Sequence, residues 1–270
     1  MKKRYGAAVV TCAGVMLSAA SLPAQNPSQH LVLDRSGQTI VLEPYAPNVV
    51  RVTLSLRREA ALRGPGYGIV AQPEATQEWK ASQTEHQDIY TSPRMIVTID
   101  RPGPPGPPPL STMVDIGKYF SGSAPWAHIV FTTPEGKKLL EMNGWMQSEP
   151  NQKDGTAGLL HDRRPGDPKS YVVGATFASP DDEHYYGLGQ NQEGFLDHRG
   201  HPVRCWADYN APAGQSFCVP FLITNKGYGL LWDNPSKTTI DAGFNEQTRW
   251  TSEAGDRVSF FVIAGATADE

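Results

Sequence analysis

Short runs in which apolar and polar residues alternate recur along the chain, whereas sustained helical spacing is rare. From Val49 to Leu56, apolar residues occupy every second position, and Arg51, Thr53 and Ser55 fall between the later ones. A period of two predicts a half-buried strand. Similar alternating or fully apolar runs predict strands at Leu31–Leu33, Ile40–Leu42, Met95–Ile99, Ile129–Thr132, Lys138–Leu140, Tyr171–Thr176, Val203–Trp206, Phe221–Thr224, Tyr228–Trp232 and Val258–Ile263. The predicted fold is all-β, an antiparallel β-sandwich with little helix.

Glycine and proline mark the places where these strands turn or stop. Asn225–Gly227 and Thr133–Gly136 each predict a tight connection between two antiparallel strands. Pro102–Pro109 lacks most of the amide donors that a sheet requires and is predicted to be a stiff inserted loop. Ser148–Lys169, rich in Pro, Gly and Asp, is predicted to be an exposed loop. A single sandwich with long loops is favoured over two domains.

The first residues have the three parts of a secretory leader. Lys2-Lys3-Arg4 is followed by the apolar run Ala7–Leu17 and then by small residues ending near Ala24. This order predicts a signal peptide over residues 1–24 and one domain over 25–270. The apolar run is too short for a transmembrane helix, so no membrane attachment is expected after the leader is removed. The expected location is secreted or periplasmic.

Charge and cysteine content narrow the function further. Without the three basic leader residues, 21 Lys and Arg stand against 28 Asp and Glu, a net charge of about −7 that makes nucleic acid a poor partner. Removing Cys12 with the leader leaves Cys205 and Cys218, on what look like two neighbouring strands. In an oxidising compartment they are a candidate disulfide, the alternative being two buried thiols too far apart to bridge.

Motifs for cofactors and metals are incomplete in this chain. Gly187-Leu188-Gly189 opens like a dinucleotide loop, but Gln192 replaces the third glycine and no helical pattern follows. His198 and His201 lack further ligands at a supporting spacing, so they are predicted to be surface histidines and not a metal site. We therefore expect no metal and no cofactor.

Acids and an imidazole lie close together in one stretch of the sequence, as acid–base chemistry on a sugar would require. They are Glu183, His184, Glu193 and Asp197. The simpler interpretation is a solvated cluster at a strand end. No Gly-x-Ser-x-Gly motif occurs, so hydrolysis through an activated serine has no support.

Several motifs, taken in order, resemble the N-terminal domain of family 31 glycoside hydrolases, the α-glucosidases, α-xylosidases and related transglycosylases. The resemblance covers nearly everything after the leader. It is carried by Asn48–Val52, Ile89–Pro93, Glu135–Leu140, Tyr186–Gln190, Asp197–Gly200, Val219–Phe221, Lys226–Asn234 and Ile263–Gly265. It implies a galactose-mutarotase-like β-sandwich packed against a (β/α)8 catalytic barrel, in agreement with the strand periodicity.

The same resemblance places the catalytic residues elsewhere. In the family, the nucleophile and the acid/base aspartate lie on the barrel, the nucleophile in a motif like Asp-Met-Asn-Glu, which is absent from this sequence. A retaining glycosidase needs two carboxyl groups about 5 Å apart across the scissile bond. This chain is therefore expected to contain no catalytic residue, and an α-linked oligosaccharide would be bound through the missing barrel.

The resemblance also suggests where this domain could touch substrate. A loop corresponding to Ala207–Phe217 reaches over the barrel mouth in relatives, and Asp208 and Asn210 match its polar positions best. They are the candidate substrate-binding residues, whereas Trp206, Tyr228 and Trp232 are expected in the core or a domain interface.

Two other functions remain as alternatives. One is a stand-alone carbohydrate-binding module. The other is a mutarotase-like epimerase, which would use His184 or His201 with Glu183 or Glu193. The choice between glucosidic and xylosidic substrates stays open, because the resemblance assigns it mostly to the barrel.

Overall fold

The computed structural model describes residues 30–35, 37–73, 78–101, 127–148, 171–191, 193–206 and 217–266. The predicted leader, the proline-rich stretch and most of the loop predicted over Ser148–Lys169 lie outside these ranges. Asp208 and Asn210 lie outside them as well.

Within the described ranges the chain forms sixteen strands and one helix of four residues, α1. The all-β prediction is confirmed. No helix within these ranges has the length and apolar character needed to cross a membrane. The elements are β1 Leu31–Arg35, β2 Gln38–Ala46, β3 Val49–Ser55, α1 Arg58–Ala61, β4 Lys80–Gln83, β5 Gln87–Thr91, β6 Ile96–Asp100, β7 Ile129–Thr132, β8 Lys138–Ser148, β9 Tyr171–Ala178, β10 Tyr185–Gly187, β11 Pro202–Cys205, β12 Phe221–Thr224, β13 Tyr228–Trp232, β14 Thr238–Phe244, β15 Gln247–Gly255 and β16 Val258–Ala264.

The strands form two sheets that share one core. Sheet A has the order β1-β2-β3-β16-β13-β12-β10, and sheet B has the order β11-β14-β15-β9-β8-β7-β6-β5-β4. Inward residues of both sheets belong to a single apolar cluster. Across it, the Phe177 ring meets the Phe260 ring edge-on at 5.4 Å, and Trp232 stacks on Trp250 at 5.5 Å. This packing of two antiparallel sheets is the predicted β-sandwich.

Both predicted tight turns are present. Gly136 closes the β7–β8 connection and Gly227 the β12–β13 connection, with φ angles of 88° and 91°. Glycine adopts this left-handed region without the steric penalty of a side chain. These local signals therefore fixed the pairing of two hairpins.

The prediction that β3 is half-buried is wrong. Arg51, Thr53 and Ser55 are fully buried along with the apolar residues of the strand. The segment from Leu56 to Gly66, which includes α1 and is called the strap below, packs on the outer side of β2 and β3. Alternation within one strand cannot show that another segment covers its polar face.

Several strands carry too weak a pattern to be predicted from the sequence. β14 and β15 place small or polar residues such as Thr238, Thr248 and Ser252 toward the core, with few large apolar residues between them. Their place in sheet B comes from pairing on both sides, β11 to β14 and β15 to β9. The surrounding strands decide these elements more than their own residues do.

Candidate functional site

A buried cluster of an acid and two tyrosines, called the acid–tyrosine cluster below, lies where β10 and β13 meet the segment after β9. The carboxyl group of Glu183 accepts hydrogen bonds from the hydroxyls of Tyr185 at 2.7 Å and Tyr228 at 2.8 Å. Arg199 Nη1 donates to Ser179 Oγ and to the Glu183 carbonyl, both at 3.0 Å. Since Glu183 is only 2% exposed, the cluster links three segments in the protein interior.

Burial raises the pKa of Glu183, although both tyrosine hydroxyls act in the opposite direction. A carboxyl group that is easier to protonate in the folded state makes the fold less stable as pH rises from the unfolded-state pKa through the folded-state pKa. We expect Glu183→Gln, which is neutral throughout, to lack this contribution. Urea unfolding between pH 4 and 8 should show wild type losing stability relative to the variant. A difference that stays constant with pH would contradict this expectation.

His184 and Asp197 form a pair on the surface. His184 Nδ1 lies 2.6 Å from Asp197 Oδ2, and Asp197 Oδ1 accepts the amides of Tyr185 and Arg199, each at 3.0 Å. Burial alone would raise the pKa of Asp197, but these hydrogen bonds outweigh it and the pKa is lowered. The carboxylate thus fixes the loop before Arg199 against the start of β10.

The four residues that an epimerase would draw on lie in different environments. Glu183 faces the interior with both oxygens hydrogen-bonded, whereas His184 and Glu193 are exposed. His201 stacks on Phe195 with ring centroids 3.6 Å apart. An epimerase needs a base and an acid that reach one substrate, and in this arrangement the Glu183 carboxyl group is enclosed by protein.

The prediction of two surface histidines is correct only in part. His198 is buried, 4% exposed, and its Nε2 lies 3.2 Å from the Gly187 carbonyl oxygen, while His201 is half-buried. Among the described residues, no group of three His, Cys, Asp or Glu side chains is arranged to hold a metal ion. His198 therefore packs as part of the structure around β10.

The glycines of Gly187-Leu188-Gly189 allow a close backbone approach. All three residues have positive φ, at 98°, 60° and 87°, and the Leu188 side chain is fully buried. A Cβ on Gly187 would lie 2.7 Å from the Phe221 carbonyl oxygen, and one on Gly189 would lie 2.1 Å from that of Phe217. The glycines therefore serve packing against the segment that leads into β12.

The structure joins Cys205 and Cys218 in a disulfide with Cα atoms 4.9 Å apart, within the usual range for this bond. The sequence pattern had placed the two cysteines on neighbouring strands, and this is wrong. Cys205 ends β11 in sheet B, while Cys218 precedes β12 in sheet A. Trp206 and Phe217, the residues beside the two cysteines, are 55% and 52% exposed.

The three aromatic residues expected in the core or at a domain interface divide into two kinds. Tyr228 and Trp232 are buried, and Trp232 Nε1 donates to Ser252 Oγ at 2.9 Å. Trp206 instead lies on the surface beside the disulfide. A core position is thus ruled out for Trp206 within the described part of the chain.

The outer side of sheet A carries a feature that the sequence pattern did not predict. Over β10, β12, β13 and β16, half-buried apolar side chains point away from the core and form what is called the open face below. A groove of about 500 Å³ runs across it, with Gly227, Gly229 and Gly265 in its lining. The side chains of the open face are Tyr186, Phe221, Ile223, Leu231 and Ile263. The sequence signal for it was an apolar run with no polar alternation, as in Phe221-Leu222-Ile223.

Comparison with protein families decides the relationship. The glycosyl hydrolase 31 N-terminal galactose mutarotase-like domain matches residues 39–241, three quarters of the chain. The chain belongs to this domain family. The family resemblance given by the sequence motifs is thereby confirmed.

Individual relatives of this family 31 N-terminal domain agree. An uncharacterized family 31 glucosidase, ORF2, from Pseudescherichia vulneris is 30% identical over 153 residues, which are 53% of this chain and 28% of the relative. An α-xylosidase from Saccharolobus solfataricus is 32% identical over 107 residues, which are 37% of this chain and 14% of the relative. The chain thus spans less than a third of the length of either relative.

Solved structures show the same fold. The crystal structure of a family 31 α-xylosidase from a soil metagenome, complexed with xylose, superposes with a TM-score of 0.61 at 22% identity. The match covers 89% of this chain and 32% of that chain. This family 31 N-terminal domain therefore shares its sandwich architecture with part of a larger protein.

Proposed function

We propose that this chain is the non-catalytic β-sandwich domain of an exported glycoside hydrolase of family 31. The parent enzyme would hydrolyse α-glucosidic or α-xylosidic bonds by a retaining mechanism. The sandwich would support the catalytic barrel, and Asp208 and Asn210 would contribute to the sugar pocket from the adjoining loop. The leader predicted over residues 1–24 supports export to the periplasm or the medium.

The open face is the observation that carries this proposal. In the described strands of sheet B, outward positions are mostly polar, for example Thr98, Thr239 and Arg249, as expected for a face in contact with water. The corresponding positions of β12, β13 and β16 are Ile223, Leu231 and Ile263. A sheet that is apolar on both sides requires a partner on each.

One half of the outer side of sheet A is covered by the strap and the other half is not. Over β2 and β3, the strap covers buried polar side chains. Its backbone supplies hydrogen-bond partners to them, for example the Arg63 carbonyl to Arg51. The half formed by β10, β12, β13 and β16 has no such cover among the described residues. Relatives of this domain are longer proteins. An uncovered apolar surface on such a domain supports the proposal that the barrel docks there.

The proposal is tested with the purified chain. We expect no release of xylose or glucose from α-xylosides or maltose, and we expect the hydrophobic dye ANS to bind through the open face. The double variant Ile223→Thr with Ile263→Thr should lower ANS fluorescence about twofold or more. The matched control is Ile89→Thr with Val130→Thr, two half-buried outward positions of sheet B, which should change it little.

Saturable hydrolysis of an α-glycoside by the chain alone would overturn the non-catalytic assignment. Equal ANS binding by both double variants would overturn the docking face. Calorimetry with maltose and xylose oligosaccharides provides a further check. Measurable affinity of the isolated chain would favour a stand-alone carbohydrate-binding module instead.

A further inference from the structure

The Cys205–Cys218 disulfide crosses a seam between the two sheets. Cys205 is the last residue of β11, which is an edge strand of sheet B, and Cys218 lies three residues before β12 of sheet A. The two cysteines are 13 positions apart in sequence. The bond therefore fastens an edge of one sheet to the entry of a strand in the other.

The backbone segments on the two sides of this seam form their hydrogen bonds with other segments and not with each other. β11 pairs with β14. Phe217 exchanges two hydrogen bonds with Gln190, at 2.8 and 3.0 Å, next to β10. Among the hydrogen bonds between described residues, none joins Cys205 or Trp206 to the segment from Phe217 to Pro220. The disulfide is thus a covalent link at a point where no hydrogen bond joins the described residues of the two segments.

We propose that this disulfide is a redox-dependent clamp that fixes the spacing of the exposed rings of Trp206 and Phe217. Each ring belongs to a residue adjacent to a bonded cysteine, so the 4.9 Å between the Cα atoms sets the separation of the two backbones that carry them. Reduction breaks the S–S bond, and each sulfur gains one electron and one proton. An external dithiol, oxidised to its own disulfide, supplies both.

The clamp would be closed in the compartment where the proposed function places the chain. Exported proteins meet oxidising conditions, and disulfides persist there. Both cysteine residues are half-buried and not enclosed, and access is one of the factors that control thiol–disulfide exchange. Cys205 packs at the margin of the apolar core, whereas Cys218 does not belong to that cluster. We therefore expect strong reducing conditions to open the clamp while the core stays folded.

The test combines thiol counting with amide hydrogen exchange on the whole chain. The mature protein, unfolded without reductant, should show no free thiol, and two after dithiothreitol. In the folded protein, reduction should speed exchange at the Gln190 and Phe217 amides about tenfold or more, because the bond restricts local opening. The His198 amide, which donates to the Tyr185 carbonyl at 2.8 Å, is the nearby control and should change little.

The variant Cys205→Ala with Cys218→Ala should reproduce the reduced behaviour without dithiothreitol, with far-UV circular dichroism unchanged. If the variant does not fold, reduction of the wild-type chain still decides the question. Two free thiols before reduction would overturn the proposal, and so would unchanged exchange at Gln190 and Phe217 afterwards. Neither result depends on glycoside hydrolysis or on barrel docking, so the clamp and the proposed function can fail separately.

Discussion

Arg51→Met is expected to destabilise the fold by about 3–5 kcal/mol, the usual effect of removing one partner from a buried ion pair. Arg51 is fully buried, and its guanidinium binds the carboxylate of Glu43 and lies 3.4 Å from that of Asp233. It also donates to Ser259 Oγ at 3.0 Å and to the Arg63 carbonyl at 3.1 Å. The substitution removes the guanidinium that these two buried carboxylates share, and His30 Nδ1, 3.4 Å from Glu43 Oε1, remains beside only one of them.

The strap should respond to the same substitution. Its carbonyl at Arg63 is held by Arg51, while its amide at Gly66 donates to Asp233 Oδ1 at 2.9 Å. Loss of Arg51 therefore weakens the attachment of the strap as well as the charge balance beneath it. Urea unfolding followed by circular dichroism measures the free energy, and limited proteolysis of the strap measures its attachment.

Arg58→Met is the matched control. Arg58 pairs with Asp34 on the surface, where both side chains are 54% exposed, and exposed pairs contribute about 0–1 kcal/mol. The double variant Arg51→Met with Glu43→Gln should recover part of the loss, because one of the uncompensated charges is removed. A loss below about 1 kcal/mol for Arg51→Met would show that the two carboxylates gain water or other partners, contrary to a buried network that depends on Arg51.

Gly189→Ala is expected to destabilise the fold by about 3 kcal/mol or more, the sum of a left-handed backbone and a severe contact. The residue has a φ of 87°, and its added Cβ would lie 2.1 Å from the Phe217 carbonyl oxygen and 2.6 Å from the Val219 amide nitrogen. Both atoms belong to backbone and cannot move as a flexible side-chain end would. The segments of Gly187–Gln190 and Phe217–Phe221 would have to separate.

Gly37→Ala separates the two contributions. Gly37 has a similar φ of 77°, but a Cβ there meets nothing within 4 Å. Gly37→Ala should therefore lower the free energy of unfolding only by the cost of the left-handed backbone, about 1–2 kcal/mol. Thermal or urea unfolding of both variants provides the comparison. Equal losses would show that the close approach of Gly189 to the Phe217–Val219 backbone contributes nothing to stability.

The acid–tyrosine cluster shows how far residue types predict a site. Glu183, His184 and Asp197 were candidates because they are close in sequence, and they also lie near one another in the structure. The buried position of Glu183 depends on Tyr228, which is 45 positions away and reaches it through the pairing of sheet A. A pattern within a few residues cannot show a contact across 45 positions, so the role of Glu183 could not be assigned from the sequence.

The sequence by itself determined the all-β class, the positions of the strongly apolar strands and the two glycine turns, because these depend on alternation and on left-handed backbone within a few residues. The motifs also identified the domain family. Only the tertiary structure decided that the polar side of β3 is buried, that the disulfide connects sheet B to the segment leading into sheet A, and that part of the outer side of sheet A is apolar. Those features arise from contacts between segments far apart in the chain, which local periodicity does not encode.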